Sequence, residues 1–319
     1  MSDDYKKDSL RQKQALPLEG KIVLTQLRIQ QWYDHWGGQV CVSFSGGKDS
    51  TVLKHLVETT SGVEDVPSVF VNTGLEFPEI QKFAMSQPNV ITVRPEMRFD
   101  RVIETYGYPV IGKRQARYIR DLQNASENNR ATVNLRLTGY NQAGVYCPSM
   151  KLPDKWVPLK DAPFKISDKC CDVMKKNPLK AYQKETGRKP IIGTMACESN
   201  MRERQYLRQG CNAFKAGTSA PMSFWTEQDV LEYILKYNLD YAPVYGEIKR
   251  DENGLLYTTG ESRTGCMFCM FGCHLEKAPN RFQRMKETHP RQYAYCMKSK
   301  EDGGLGLAEV LDYIGVDYD

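Results

Sequence analysis

The sequence contains no long hydrophobic run. Its longest apolar stretches, such as Val-Cys-Val-Ser-Phe at residues 40–44, are far shorter than the ~20 residues that a transmembrane helix needs. The first residues are polar and provide no apolar segment of the kind found in secretory signals. We therefore expect a cytoplasmic protein that has no membrane partner.

The net charge of the chain is also small. The 44 Lys and Arg residues and the 39 Asp and Glu residues give a formal net charge of +5, which permits a polyanionic partner without requiring one. The 10 cysteines are more informative, because in a reducing compartment they indicate metal binding, catalysis or burial rather than disulfides. With 319 residues, 40% of them hydrophobic, the chain can form one large domain or two modest ones.

Strand and helix patterns alternate along much of the chain. Runs of β-branched and aromatic residues predict buried strands, and apolar residues at helical spacing predict the helices between them. The predicted strands cover residues 39–44, 68–72, 89–93 and 189–193, and the predicted helices cover 21–36, 51–59, 77–87 and 225–237. Thr226 is a suitable N-cap for the last of these helices. This alternation predicts an α/β fold with a doubly wound, mainly parallel sheet.

A glycine-rich turn joins the first predicted strand to its helix. The turn consists of Ser45, Gly46, Gly47, Lys48, Asp49 and Ser50. The glycines allow backbone N–H groups to approach a ligand closely, and the start of the following helix favours a phosphate at the same place. Lys48 adds a positive charge, and Asp49 either orients Mg²⁺ or stabilises the turn. A glycine turn without a ligand is the alternative interpretation.

This turn differs from the phosphate loop of kinases and GTPases, because Val42 stands where that loop has its first glycine and Asp49 follows the lysine. It resembles instead the PP-loop, Ser-Gly-Gly-x-Asp-Ser, of enzymes that cleave ATP between the α- and β-phosphates. Residues 71–78 and 224–233 resemble two further motifs of one branch, which contains sulfonucleotide reductases and the small subunit of ATP sulfurylase. The chain therefore resembles the phosphoadenosine phosphosulfate reductase-like branch of the PP-loop ATP pyrophosphatase superfamily.

The resemblance implies an adenine-nucleotide site. The residues that it implies in nucleotide binding are Ser45, Gly46, Gly47, Lys48, Asp49, Ser50, Asn72, Thr73, Gly74 and Glu76. The resemblance also implies catalytic roles for Lys48 and Asp49. It implies one for Arg202 as well, because residues 193–202 resemble the superfamily's late arginine motif. Three further basic residues have two possible interpretations, either a contact with a bound anion or a basic surface exposed to solvent. They are Lys113, Arg114 and Arg117.

The motifs and the composition together suggest limits for the domains. Residues 1–20 have the character of a flexible arm, and a polar, basic stretch of weak periodicity near 107–165 suggests a loop insertion. Beyond Tyr257 the chain becomes rich in cysteine and then in basic residues. We therefore expect a nucleotide-binding domain at 21–245 and a C-terminal region at 246–319 that packs on the nucleotide site.

Four cysteines form a second constellation. They are Cys170, Cys171, Cys266 and Cys269. An adjacent pair with a distant Cys-x-x-Cys resembles the pattern of adenylyl-sulfate reductases and DNA phosphorothioation enzymes, which implies that these thiolates hold a [4Fe–4S] cluster. A structural zinc site and unconnected buried cysteines are the alternatives. Cys273 either replaces one ligand or stays free, with a catalytic role as a sulfur-carrying or resolving thiol.

The same resemblances imply a reaction. Sulfonucleotide reductases usually have an altered loop and a C-terminal Glu-Cys-Gly-(Ile/Leu)-His segment, whereas this chain has an intact loop and no cysteine after Cys296. An intact loop combined with the four cysteines is the pattern of DNA phosphorothioation enzymes. We therefore expect a PP-loop transferase that adenylates an acceptor with ATP and Mg²⁺, releases pyrophosphate and transfers sulfur with the help of the cluster.

The sequence leaves the acceptor and the sulfur donor open. A nucleic acid and a small molecule are both compatible acceptors, and a partner protein is a compatible sulfur donor. The basic and aromatic segment at 281–295 is either a nucleic-acid contact or a plain amphipathic helix. Two other functions stand as alternatives. One is reduction of adenylyl sulfate or its 3′-phosphorylated form with Cys273 as the nucleophile. The other is a nucleotide-binding regulatory or assembly subunit with a structural metal site.

Overall fold

The computed structural model describes residues 3–319. Its α-helices are α1 (Asp3–Gln14), α2 (Leu18–His35), α3 (Lys48–Glu58), α4 (Pro78–Ser86), α5 (Phe99–Thr105), α6 (Lys113–Gln123), α7 (Arg130–Thr138), α8 (Asn177–Thr186), α9 (Asn200–Gln209), α10 (Glu227–Tyr237), α11 (Arg281–Thr288), α12 (Pro290–Met297) and α13 (Leu307–Tyr313). Its strands are β1 (Val40–Phe44), β2 (Ser68–Val71), β3 (Val90–Val93), β4 (Val110–Ile111), β5 (Lys189–Ile192), β6 (Asn212–Ala213), β7 (Thr218–Ser219), β8 (Ile248–Arg250), β9 (Leu256–Thr258) and β10 (Met270–Phe271). Over this described part of the chain, no helix has the length and apolar character needed to cross a membrane.

The chain divides into two compact units, each formed from two separate stretches of sequence. The first unit combines the chain up to Arg94 with Pro178–Thr264, and the second combines Pro95–Asn177 with Gly265–Asp319. This division differs from the sequence-based limits, which placed a boundary at residue 245. The two units alternate along the chain, a pattern that local composition does not reveal.

A six-stranded sheet forms the centre of the first unit. The strand order is β3-β2-β1-β5-β7-β6, and neighbouring strands are parallel except for the antiparallel pair of β6 and β7. Val40, Cys41 and Val42 of the central strand are at most 1% exposed. The mainly parallel α/β fold predicted from the sequence is confirmed, and each predicted strand agrees with its observed bounds to within one residue.

A buried polar network fixes the start of α10. The predicted N-cap is confirmed, because the Thr226 side chain accepts a hydrogen bond from the Asp229 N–H, and the Asp229 carboxylate accepts one from the Thr226 N–H at 2.7 Å. Lys21 Nζ of α2 donates to the same carboxylate at 2.6 Å in a buried ion pair. Trp225 Nε1 donates to Thr25 Oγ1 of α2 at 2.8 Å. The first turn of α10 is therefore attached firmly to α2.

The segment predicted as a flexible arm, residues 1–20, is helical in its described part. α1 covers most of it, and Leu10 is 3% exposed. Lys13 Nζ donates to the Tyr206 hydroxyl at 3.1 Å. One buried leucine among charged residues gives little periodic signal, which is why the sequence suggested an arm rather than a packed helix.

The second unit joins the middle of the chain to its C-terminal part. β4 pairs in parallel with β10, with Met270 opposite Val110. The stretch predicted as a loop insertion contains α6 and α7, and α6 buries Ala116, Ile119 and Leu122. Basic residues cover the remaining surface of α6, so its composition suggested a solvated loop although its buried residues follow helical spacing.

Candidate functional site

The carboxyl ends of β1, β2 and β5 lie side by side in the first unit. β1 pairs in parallel with β2 on one side and with β5 on the other. The chain builds β1, β2 and β3 in one direction and then places β5 on the opposite side of β1, so the order reverses between β1 and β5. Open α/β sheets bind ligands outside the carboxyl ends of their strands at such a reversal. The glycine-rich turn follows β1 at this position.

Gly46 allows the turn to pass close to α4. Its φ is +73°, and a Cβ built on it would lie 3.0 Å from Ala84 Cβ and 3.0 Å from the Ile80 carbonyl oxygen. Any side chain would therefore combine a disfavoured backbone conformation with a close contact to backbone atoms. The path of this glycine-rich turn, residues 45–50 and here called the phosphate loop, depends on glycine at this point.

The serines of the turn stabilise its shape. The Ser45 N–H donates to Ser50 Oγ at 3.1 Å, and the two Oγ atoms lie 3.0 Å apart. Gly47 is the N-cap of α3 and has no side chain that could cap the helix. A helix start without a side-chain cap, placed after a sharp turn, is the arrangement in which backbone amides bind phosphate.

Lys48 is buried, with only 4% of its surface exposed. Its Nζ donates to the Ser262 carbonyl oxygen at 2.8 Å and lies 3.1 Å from Glu227 Oε1. The centroid of the Tyr245 ring lies 5.4 Å from the same nitrogen. Protein groups of three kinds, a carbonyl, a carboxylate and an aromatic ring, therefore surround the lysine ammonium.

The Asp49 carboxylate is incompletely paired. Its Oδ1 is buried and has no hydrogen-bond partner within residues 3–319, since Lys48 Nζ lies 3.9 Å away, too far for a hydrogen bond. Burial raises the pKa of Asp49, and the charge of Lys48 opposes this rise. Mg²⁺ typically binds one or two carboxylates together with substrate phosphates. The unpartnered oxygen beside a phosphate loop fits such a cation.

Two arginines lie near Asp49. The predicted residue Arg202 is in α9 and forms an ion pair with Glu198. Burial, and then the charge of Arg263, lower the pKa of Arg202, so the two guanidinium groups act on each other electrostatically. Arg263 also acts on the pKa of Asp49. Guanidinium groups suit bidentate recognition of phosphate or sulfate, and two of them beside the loop favour an anion.

Sequence reasoning missed Arg263, Tyr245 and Glu227 as residues of this site. Arg263 carries no motif, and Tyr245 has the appearance of an ordinary core aromatic. Glu227 has a local signal as an acidic residue in the first turn of a helix, but that signal explains it without any ligand. Only the folded chain brings these three residues to the loop.

Residues 72–76 form a turn that satisfies its own polar groups. The Glu76 carboxylate accepts hydrogen bonds from the N–H and the hydroxyl of Thr73, at 3.1 and 2.7 Å. Asn72 Oδ1 accepts one from the Gly74 N–H at 3.2 Å. Asn72 and Thr73 are buried. These side chains shape the turn after β2, and their part in nucleotide binding stays a prediction.

The four cysteines predicted to hold a cluster all lie in the second unit. A hydrogen bond with Cys171 raises the pKa of Cys170, and burial and the charges of Cys171, Cys266 and Cys269 add to this rise. The four sulfur atoms therefore share one electrostatic environment. A π-helical turn, Asp172–Lys176, follows the adjacent pair, and such turns are frequent at functional sites.

The surroundings of Cys171 favour the thiolate form. The hydrogen bond with Cys170 lowers the pKa of Cys171 to about 6, and the charge of Lys113 contributes to the lowering. Lys113 is exposed like Arg114 and Arg117, but of these three only its charge acts on Cys171 among the causes named for the shift. Arg114 and Arg117 have the character of a solvated basic face.

The donor chemistry of the cysteine group fits an iron–sulfur cluster, since such clusters are held by four thiolates. Zinc binds the same donors, so donor type alone does not separate the two. Among the residues that the structure describes, no three His, Cys, Asp or Glu side chains converge as ligands of a single metal ion.

Cys273 is close to the cysteine group but deeply buried. It is 1% exposed, and its Sγ donates to the Met270 carbonyl oxygen at 3.0 Å. Burial raises the pKa of Cys273 to about 11, and the charge of Cys269 contributes to the rise. The thiolate is the nucleophilic form of cysteine, so this environment disfavours attack by Cys273. Its catalytic role stays a prediction.

The basic and aromatic segment at 281–295 forms α11 and α12. Arg281 Nε donates to the Glu276 carboxylate at 2.8 Å, and another of its nitrogens donates to the Cys269 carbonyl oxygen at 2.7 Å. Phe282 and Met285 are buried on one face of α11. These contacts have the character of an amphipathic helix that stabilises the surroundings of the cysteines.

Comparisons with known proteins identify the family. The family model described as "Phosphoadenosine phosphosulfate reductase domain" matches residues 39–273. A solved structure of phosphoadenylyl-sulfate (PAPS) reductase from Candida auris, a phosphate complex, is 14% identical with a TM-score of 0.38, covering 80% of this chain and 98% of that chain. No curated protein sequence matches the chain. Because the family match covers well over half of the chain, from just before β1 to Cys273, this protein belongs to the phosphoadenosine phosphosulfate reductase domain family, a branch of the PP-loop superfamily.

Proposed function

We propose that this protein uses ATP to activate an acceptor for sulfur transfer. The observation that carries the proposal is the intact phosphate loop at residues 45–50, with Gly46 placed where a side chain would clash and Asp49 carrying an unpartnered buried oxygen. An enzyme that releases pyrophosphate needs donors and a cation for that leaving group. An enzyme that only reduces adenylyl sulfate releases no pyrophosphate.

The proposed reaction has two steps. An acceptor oxygen attacks the α-phosphorus of ATP, the bond from that phosphorus to the oxygen bridging to the β-phosphorus breaks, and pyrophosphate leaves with the bonding electrons. Sulfide then attacks the activated centre of the acceptor, a bond from that centre to sulfur forms, and AMP leaves with the former acceptor oxygen and the bonding electrons. The loop amides and the start of α3 bind the phosphates, and Arg202 and Arg263 offset their charge. Asp49 would hold Mg²⁺, which supplies further charge for the leaving group.

Four cysteines form the second part of the proposal. Cys170, Cys171, Cys266 and Cys269 would hold the [4Fe–4S] cluster, which supplies a site that holds or delivers sulfur. A cytoplasmic location, a sulfur-donor protein and a nucleic-acid acceptor complete the proposal, and the net charge of +5 is compatible with such an acceptor.

A reductase of adenylyl sulfate, or of its 3′-phosphorylated form, is the second candidate. The description of the matched family favours it. The buried state of Cys273 argues against it, because burial raises the pKa of this thiol to about 11 and so disfavours the thiolate that would attack sulfur.

Anaerobic calorimetry separates the two candidates without knowledge of the acceptor. The protein is titrated with an α,β-methylene ATP analogue plus Mg²⁺ and, in a second series, with adenylyl sulfate. We expect the ATP analogue to bind at least about tenfold more tightly, a difference of about 1.4 kcal/mol. Tighter binding of adenylyl sulfate by the same factor would replace sulfur transfer with reduction.

A further inference from the structure

The partners of Lys48 include a segment that nothing in the loop motif predicts. Residues 262–264, here called the strap, follow β9 and end the first unit. The Ser262 carbonyl oxygen accepts a hydrogen bond from Lys48 Nζ at 2.8 Å, and Thr264 Oγ1 lies 2.6 Å from the Tyr245 hydroxyl. The strap therefore contacts the phosphate loop directly through Ser262 and indirectly through Tyr245.

We propose that the strap, with Tyr245 and Glu227 as positioning residues, holds the phosphate loop closed, and that phosphate binding at Lys48 requires release of the strap. The nature of the phosphate ligand, an adenine nucleotide, rests on the proposed function. The closure itself rests on contacts within the first unit.

Protein groups occupy most of the surroundings of the Lys48 ammonium. Its Nζ has three protons, and a carbonyl oxygen at 2.8 Å and a carboxylate oxygen at 3.1 Å occupy two of these directions. The Tyr245 ring covers a third side, and the side chain is 5% exposed. A phosphate oxygen reaches this ammonium only by replacing Ser262 or Glu227.

Tyr245 connects the strap to the backbone of the loop. Its hydroxyl accepts a hydrogen bond from the Lys48 N–H at 3.3 Å and also bonds Thr264 Oγ1. That N–H is the first amide of α3, one of the groups that bind a phosphate at a helix start. Tyr245 is buried, so its ring cannot swing away unless neighbouring residues move. Both the amide and the ammonium of Lys48 are therefore engaged by the same assembly.

The negative charge of Glu227 opposes the binding of a phosphate at Lys48. Its carboxylate pairs with Lys48 and also raises the pKa of Asp49, so two carboxylates lie near the loop. A polyphosphate adds negative charge to this place and competes with Glu227 for the same ammonium. The ion pair and phosphate binding at Lys48 therefore oppose each other.

The first test measures the accessibility of Lys48 without any nucleotide. Thr264→Val removes the hydroxyl that bonds Tyr245 and keeps the side-chain shape. The rate at which acetic anhydride labels Lys48 is followed by mass spectrometry. We expect labelling to be about 2- to 10-fold faster in the variant, the range that corresponds to one lost hydrogen bond. The control, Thr59→Val, removes an exposed hydroxyl that bonds the His55 carbonyl oxygen in the same unit, and it should label as the wild type does.

The second test measures binding of the α,β-methylene ATP analogue with Mg²⁺ by stopped flow and calorimetry. We expect Thr264→Val to associate faster and to bind about 2- to 10-fold more tightly than the wild type, because less of the strap must be released. Hydrogen exchange at residues 261–265 should accelerate when the analogue binds. Weaker binding by the variant, or slower exchange at the strap, would mean that the strap closes over the nucleotide, which overturns the proposal.

The two tests separate failure of this inference from failure of the proposed function. If labelling of Lys48 is unchanged in Thr264→Val although the wild type binds the ATP analogue, the strap does not control access and the inference is wrong. If labelling accelerates in Thr264→Val while neither the variant nor the wild type binds the analogue, the strap controls access to Lys48 and the ATP-dependent function is wrong.

Discussion

The Lys48 ammonium lies 3.1 Å from the Glu227 carboxylate, which joins the phosphate loop to the first turn of α10. That turn is itself fixed, because the Asp229 side chain caps it and accepts a hydrogen bond from the buried Lys21 ammonium at 2.6 Å. The loop is therefore positioned by a helix that comes much later in the sequence. A mutation in either partner is expected to alter the loop as well as its own helix.

Gly46→Ala should destabilise the protein more than Gly74→Ala does. Both glycines have a φ of +73°, so both variants carry a left-handed strain of about 1–2 kcal/mol. Only the Gly46→Ala variant would also place a Cβ against Ala84 and the Ile80 carbonyl. At position 74, no atom lies within 4 Å of an added Cβ. We expect an additional loss of about 1–3 kcal/mol in the free energy of unfolding, measured with urea. Equal losses in the two variants would show that the loop adjusts freely.

Arg263→Gln should weaken binding of the ATP analogue by about tenfold or more, the effect of losing one charged hydrogen bond to a phosphate. The matched control is Arg204→Gln, which changes an exposed arginine of α9 in the same unit. Calorimetry under equal salt compares the two variants with the wild type. If the two variants lose the same affinity, Arg263 acts only through the net charge of the protein.

Asp49→Asn should change how stability depends on pH. Burial places the folded-state pKa of Asp49 above its unfolded value, so folding favours the protonated carboxyl. The stability that this group contributes is fully present below the unfolded pKa and is lost as pH rises through the folded pKa. We therefore expect the variant to gain stability relative to the wild type as pH rises from about 4 toward neutrality, in urea titrations.

The exposed control for this experiment is Asp161→Asn, whose side chain is 70% exposed. Over the same pH interval, the change in the stability difference from the wild type should be larger for Asp49→Asn than for Asp161→Asn. If the stability that Asp49→Asn gains over the wild type is constant with pH, or grows toward acid, the assignment of a raised pKa to Asp49 is contradicted.

Cys170→Ser should remove most of the bound iron and the associated visible absorbance after anaerobic purification. Loss of one of four thiolates leaves a cluster without a complete ligand set. Cys147→Ser is the control, because Cys147 belongs to no group of cysteines in the sequence pattern. Metal analysis of the wild type provides the decisive comparison, and stoichiometric zinc without iron would replace the cluster with a structural zinc site.

The local parts of the fold follow from the sequence. Strands β1, β2, β3 and β5 of the central sheet, the glycine-rich turn after β1 and the capping residue Thr226 all depend on neighbours within a few residues. β-Branched runs, the conformational freedom of glycine and the capping hydroxyl act at that range. The same locality explains why the sequence did not predict helix α1, since the buried Leu10 and the hydrogen bond from Lys13 to Tyr206 form no recognisable pattern.

The surroundings of Lys48 were decided only by the tertiary structure. Glu227, Tyr245 and the strap come from different parts of the later chain, and each has an ordinary local explanation. The burial of Cys273, which governs its pKa, is likewise a property of packing. The sequence by itself determined that a glycine-rich turn follows β1, because the backbone conformation of a short turn is encoded where it occurs. Which groups face that loop depended on contacts between distant residues, which form only when the whole unit folds.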